Sequence, residues 1–428
     1  MLVTPEQMRE DLIFLRDQWL PLDRSFSTAQ RQQFNTIVAA AMQRADAMQP
    51  YEFELEIMRA AALARNGHTY STSQRFIHAL PVRAWWFADG LHVVCTHPDF
   101  SRLLGARIER LGELAPEQAL DAIAPFISGT AQRIRYLSPF TLMSPEVLHR
   151  IGATEGVDVA PMTFRLRDGG VQEVRLGAVA AFDPSFKQPD RPYFGFSVLI
   201  PSDRALPGRW PHALDALAEP PLTYRKPVDV SVAWIGDSNK VLYVRSNQVL
   251  STDKTPLDEK FVFGVLQKEV VAHRPRFVVV DLRLNQGGNF FNTILFTQSL
   301  PRLLPAQGKI FVLVGRATFS AALTTAAMLK SNAGDRAMLI GETMGDADRF
   351  WAEGGRRTLP NSQIEVQYAD GFHDWGEGCT NLDTCYWPAV AFGVRHVSLQ
   401  PERRIEPSLA DYAAGRDPVL DAALALVT

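Results

Sequence analysis

Cysteine is scarce in this chain, three in 428 residues, so a disulfide-rich framework is excluded as the basis of the fold. No run of about eighteen apolar residues occurs, which leaves no membrane-spanning helix to expect. There is no basic stripe either: 44 Lys and Arg stand against 47 Asp and Glu for a net charge of −3, which argues against nucleic acid as a partner. Internal repeats and low-complexity segments are absent, and no Gly-x-Ser-x-Gly elbow of the α/β-hydrolase kind is present. The histidines lack metal-ligand spacing, and Cys379 and Cys385 without a second pair make no zinc site, so no metal and no other cofactor is expected. At 46% hydrophobic and 21% charged, the composition is that of an ordinary globular protein, long enough for two or three domains.

The most informative stretch runs from Phe277 to Gly288. An apolar β-branched run, Phe277-Val278-Val279-Val280, predicts a strand buried on both faces, and it leads through Asp281-Leu282-Arg283-Leu284-Asn285-Gln286 into Gly287-Gly288. Paired glycines let the backbone approach a ligand closely and leave amide groups to bind an oxyanion. A second strand, Ile310 to Val314, is followed by a short turn, Ser320 and the helical run Ala321 to Lys330. Ser320 therefore stands at a helix N-terminus, where the backbone favours developing negative charge. A serine in that position is ordinarily an N-cap; the glycine turn beside it is what favours a nucleophile.

Together these pieces resemble the C-terminal processing, or tail-specific, serine peptidases. Such a resemblance implies an α/β fold: a crotonase-like ββα spiral core (228–428), an N-terminal helical cap (1–66), joining strands (67–98), a PDZ-like insert (99–185) and a Pro-rich linker (186–227). It also implies cleavage of a polypeptide substrate by Ser320, with the oxyanion held by amides at Gly287 or Gly288 and at Ala321. Relatives on the same scaffold include non-proteolytic binding proteins, so a catalytically silent binding protein is the rival reading. Many of these peptidases carry a lysine base after the Gly-Glu strand, but Gly341 to Arg349 contains none. Lys330 lies ten positions past Ser320 on the same helix, about 15 Å along its axis. The base implied instead is His68 in Asn66-Gly67-His68-Thr69, which resembles the Asp-Gly-His-Thr segment of the Ser–His branch related to the tricorn core; Asn66 replaces the usual aspartate. Histidine as a residue type titrates near neutrality and can pass a proton to a leaving amine. The acid orienting it fits best at Glu377, with Asp374 and Glu342 as alternatives.

Local patterning predicts helices over 6–20, 27–48, 51–65, 116–126 and 145–151, with hairpins at 82–95 and 162–176. In the PDZ-like reading, the loop Leu103-Leu104-Gly105 receives a peptide carboxylate, and the strand Ala106 to Ile108 pairs with the peptide; the alternative is a structural lid. The N-terminal residues lack the basic and apolar regions of a signal peptide. Cys379 and Cys385 are close enough to bridge, though two free thiols are an equal reading, and the resemblance tips the expectation toward the periplasm or secretion. Oligomeric state is not legible in the sequence.

Overall fold

The computed structural model describes residues 3–71, 76–179, 198–201, 209–225, 228–236, 240–250, 255–394 and 396–427. Half of the expected Pro-rich linker, 186–197, 202–208 and 226–227, lies outside them. The chain is mixed α/β and divides into two compact units. One comprises 1–193, 203–213 and 350–372, and the other comprises 194–202, 214–349 and 373–428.

The first unit opens with helices Pro5–Phe14, Thr28–Arg44 and Pro50–Ala62. The first two begin in capping boxes, Thr4 with Gln7 and Ser27 with Gln30, which satisfy amides that a helix start leaves open. Trp19, Phe34 and Phe53 form a core there with Leu359, Ile364 and Val366. The late segment 350–372 therefore packs with the helical cap, although the sequence assigned it to the core. The buried Asp11 carboxylate explains the attachment, since it accepts the amides of Asn361 and Ser362 at 2.9 and 2.8 Å.

The rest of this unit is a five-stranded antiparallel meander: Val82–Phe87, Gly90–Thr96, Arg107–Leu111, Val159–Arg165 and Val171–Gly177. Its first two strands precede residue 99, so a boundary at 99 cuts through the sheet. The strand expected to receive a peptide lies in the middle of the order, with a neighbour on each side, so strand addition finds no open edge. Leu103 is fully buried, and the amides of Leu104 and Gly105 already donate to Ser101 O (3.1 Å) and Val93 O (2.8 Å). Both amides are thus unavailable to a carboxylate.

The second unit is built on a six-stranded sheet. Ser231–Ile235 pairs antiparallel with Val241–Arg245, and Phe277–Asp281, Lys309–Val314, Ala337–Gly341 and Arg403–Arg404 follow in parallel. Alternate residues, among them Tyr243, Val279 and Phe311, face Val419, Leu420 and Ala423 of the helix Pro418–Leu424. Helices Lys260–Val271 and Phe291–Leu303 meet through stacked Phe261 and Phe296, with ring centroids 4.6 Å apart.

Candidate active site

Parallel register brings the two informative loops together within the second unit. Asp281 pairs with Leu313, so the glycine loop and the serine loop leave adjacent strands at the same end. Leu282 N–H donates to Leu313 O (2.9 Å) and Phe319 N–H to Asn285 O (3.1 Å). Thr318 Oγ1 donates to Leu282 O (2.8 Å) and accepts from Gly315 N–H (2.9 Å). Each loop holds the other in place.

Ser320 caps the helix Ala321–Ala333 in an unusual way. Its φ is +53° with ψ −126°, and its side chain makes no capping hydrogen bond. The ordinary role of a serine here is thus not filled. A side chain in left-handed backbone is strained, and such strain persists only where the surroundings enforce it. Asp346 is part of that enforcement, accepting the Ser320 amide at 3.2 Å. Sequence reasoning noted its loop for the missing lysine and overlooked this acid.

Gly287 lies against the serine. A Cβ built on it would stand 2.8 Å from Phe319 O and Ser320 Cβ and 3.0 Å from Ala321 N, and its φ is +99°. Its amide donates to Asn285 Oδ1 at 2.8 Å, so Gly287 contributes close approach and is removed from the oxyanion donors. Gly288, with φ +138°, and Ala321 differ: among the described residues no acceptor takes either amide. Ala321 also opens a thirteen-residue helix, whose start holds the Asp346 carboxylate on the Ser320 amide and leaves the Ala321 amide for another acceptor.

A buried ionic cluster supports the glycine loop. Arg283 donates to both oxygens of Asp281, at 3.0 and 2.6 Å, and of Asp417, at 2.6 and 2.8 Å. Tyr243 Oη adds a 2.7 Å bond to Asp281. Burial alone would push the Asp281 carboxyl up, but Arg283 beside it and the hydrogen bonds from Arg283, Thr223 and Tyr243 hold it below its ordinary value. Asp281 and Arg283 thus have a structural role under the loop.

His68 belongs to the first unit. It is nearly buried, and its ring stacks on Phe350 with centroids 5.1 Å apart and planes 19° from parallel. The turn around it is tightly bonded. Asn66 Oδ1 accepts from Trp351 N–H (3.1 Å), while Nδ2 donates to Thr69 Oγ1 (3.2 Å). Thr69 Oγ1 in turn donates to the buried Asp23 (2.6 Å). An aspartate at 66 lacks the Nδ2 donor, which gives a physical reason for asparagine there. Burial raises the Asp23 carboxyl, against hydrogen bonds from Ser25, Thr69 and the Ala369 amide that lower it.

The candidate acids lie in the second unit. Glu377 is exposed, its carboxylate 2.7 Å from His396 Nδ1. Asp374 accepts the amides of Gly376, Glu377 and Gly378 and pairs with Arg349. Glu342 is bound by Arg316 at 2.6 Å. Lys330 is engaged by Ala337 O and Glu402, and Cys379 and Cys385 form a disulfide.

Comparison with protein-family models and with curated proteins finds no match. Among solved structures the chain is similar to mature CPAF complexed with lactacystin, with TM-score 0.59 and 15% identity over 99% of this chain and 98% of that one. It is likewise similar to mature CPAF alone, with TM-score 0.58 and 16% identity over 98% and 97%. The shared feature at this identity is the fold, and it spans nearly the whole of both chains.

Proposed function

We propose that this protein is a serine endopeptidase of the C-terminal processing type, acting on polypeptide substrates. One observation carries the reading: Ser320 is held in left-handed backbone at a helix start with its hydroxyl unused as a cap, beside the open amides of Gly288 and Ala321. In this mechanism Ser320 Oγ attacks the scissile carbonyl while His68 takes its proton. The carbonyl oxygen becomes an oxyanion bound by Gly288 and Ala321. His68 then gives the proton to the leaving amine, the C–N bond breaks, and an acyl-serine remains. Water, deprotonated by His68, attacks that ester and restores Ser320.

The reading requires the units to meet with His68 within about 2.6–3.2 Å of Ser320 Oγ. We assign Glu377 as the acid that orients the imidazole. The mostly parallel sheet is read as the crotonase-like core. The meander stands where a PDZ-like insert was expected, and its occupied amides favour a packing role over capture of a chain end. Because a disulfide persists in an oxidising compartment, we assign the protein to the periplasm or the exterior.

A fluorophosphonate probe with mass mapping is the direct test. Labelling at Ser320, together with cleavage of an unfolded protein that Ser320→Ala abolishes, is the expected result. An unlabelled, inactive but folded parent would leave the silent binding protein as the correct reading.

A further inference from the structure

Within the second unit, a cavity of about 790 Å³ opens at the edge where the parallel strands begin. Val241 and Phe277, first residues of their strands, line it. Ser320 and Gly287 follow the opposite ends of Lys309–Val314 and Phe277–Asp281, so this cavity is separate from the peptidase site.

Its lining joins two chemistries. Trp234, Leu424 and Val427 give it an apolar wall, and Lys240, Arg274 and Arg276 contribute cations. No carboxylate occurs among the described lining residues, and none of these three cations makes a salt bridge among them. The one carboxylate bonded to this lining, Glu269, stands behind its Trp234 side, accepting from Trp234 Nε1 at 2.8 Å and lying 4.0 Å from His273, and forms no salt bridge with the three cations among the described residues. His273 and Arg274 follow the helix Lys260–Val271, whose carbonyl end favours positive charge. That does not account for Lys240 and Arg276, which precede two different strands. Arg274 is moreover held at φ +47°, a strained position for a side chain of its size. All three are exposed, so water and salt screen their repulsion, and an anion entering the cavity would meet positive charge from two separate segments of the chain.

We propose that this cavity binds a small organic anion, its acidic group among Lys240, Arg274 and Arg276 and its flat or aliphatic body against Trp234, Leu424 and Val427. The volume falls within the range of small-molecule sites, roughly 300–1,000 Å³.

The test is a fluorescence titration of the full chain with two dyes of similar shape: anionic anilinonaphthalene sulfonate and neutral N-phenylnaphthylamine. The sulfonate should bind about tenfold tighter or better, and added salt should weaken it alone. The double variant Lys240→Glu/Arg276→Glu, at exposed positions, should erase that preference while the neutral dye and the melting curve stay unchanged. Equal affinity for the two dyes, or a sulfonate affinity that the double variant does not move, overturns the proposal. Neither outcome depends on peptidase activity.

Discussion

Replacing Gly287 with alanine tests how the serine is positioned. The added methyl would lie 2.8 Å from both Phe319 O and Ser320 Cβ, roughly half an ångström inside ordinary contact. Its backbone would keep a φ of +99°, which for a residue with a Cβ costs about 1–2 kcal/mol. Relieving the overlap adds about 1–3 kcal/mol, so the second unit should lose roughly 2–5 kcal/mol. The loop has no slack to absorb the change, because the Gly287 amide is fixed by Asn285 and Phe319 by Asn285 O. Ser320 must therefore shift, and a displacement approaching 1 Å lowers reactivity by about 10²-fold. Fluorophosphonate labelling rates and urea unfolding measure the two effects. Gly264→Ala is the control: nothing lies within 4 Å of a Cβ there, and alanine inside a helix should stabilise by about 0.5–1 kcal/mol. Labelling of Gly287→Ala at the parental rate would refute the claim that close approach positions the nucleophile.

Ser320→Gly should abolish cleavage yet raise stability by about 1 kcal/mol, because glycine accepts φ +53° without strain; a less stable variant in thermal melting contradicts the strain argument. His68→Ala should fall nearly to the level of Ser320→Ala, on the order of 10⁴-fold below the parent in kcat/KM, and near-parental turnover would assign the base elsewhere. Asp281→Asn should cost about 3 kcal/mol at neutral pH by leaving Arg283 underpaired. Since the Asp281 carboxyl is held below its ordinary 3.8, its contribution is present above about pH 4 and lost as pH falls through the lowered folded value. Urea midpoints across pH should converge for parent and variant in acid, and a constant gap would contradict the assignment. Reducing Cys379–Cys385, which closes a seven-residue loop (385 − 379 + 1), should cost about 2 kcal/mol. Thiol titration of the native protein should find none reactive, because Cys95 is buried.

Much of the second unit was legible because its signals are local. An apolar β-branched run, a glycine pair and a serine before an alanine-rich helix each identify themselves within a few residues, and the strands and helix formed within a residue or three of expectation. Helices with internal proline were harder: Ala131–Leu142 contains Pro139 and Phe291–Leu303 contains Pro301, and proline reads as a breaker when its packing is unseen. Attachment of 350–372 to the first unit depends on Asp11 some 350 positions away, which no periodicity reports. The Gly287 amide was misassigned for a similar reason, since only the fold shows that Asn285 folds back to occupy it. Asp346 carried no signal at all beyond being an acid in a loop.

The ionic cluster beneath the glycine loop also sets a timetable. Arg283 completes its pairing only with Asp417, 134 residues later. At about 5–20 residues per second, a growing chain waits on the order of ten seconds between making the loop and making this second carboxylate. During that interval Arg283 has the Asp281 carboxylate to balance its charge but lacks two of the hydrogen bonds that anchor the glycine loop. The glycine loop therefore gains its full set of hydrogen bonds only once Asp417, which precedes the helix Pro418–Leu424, has been made.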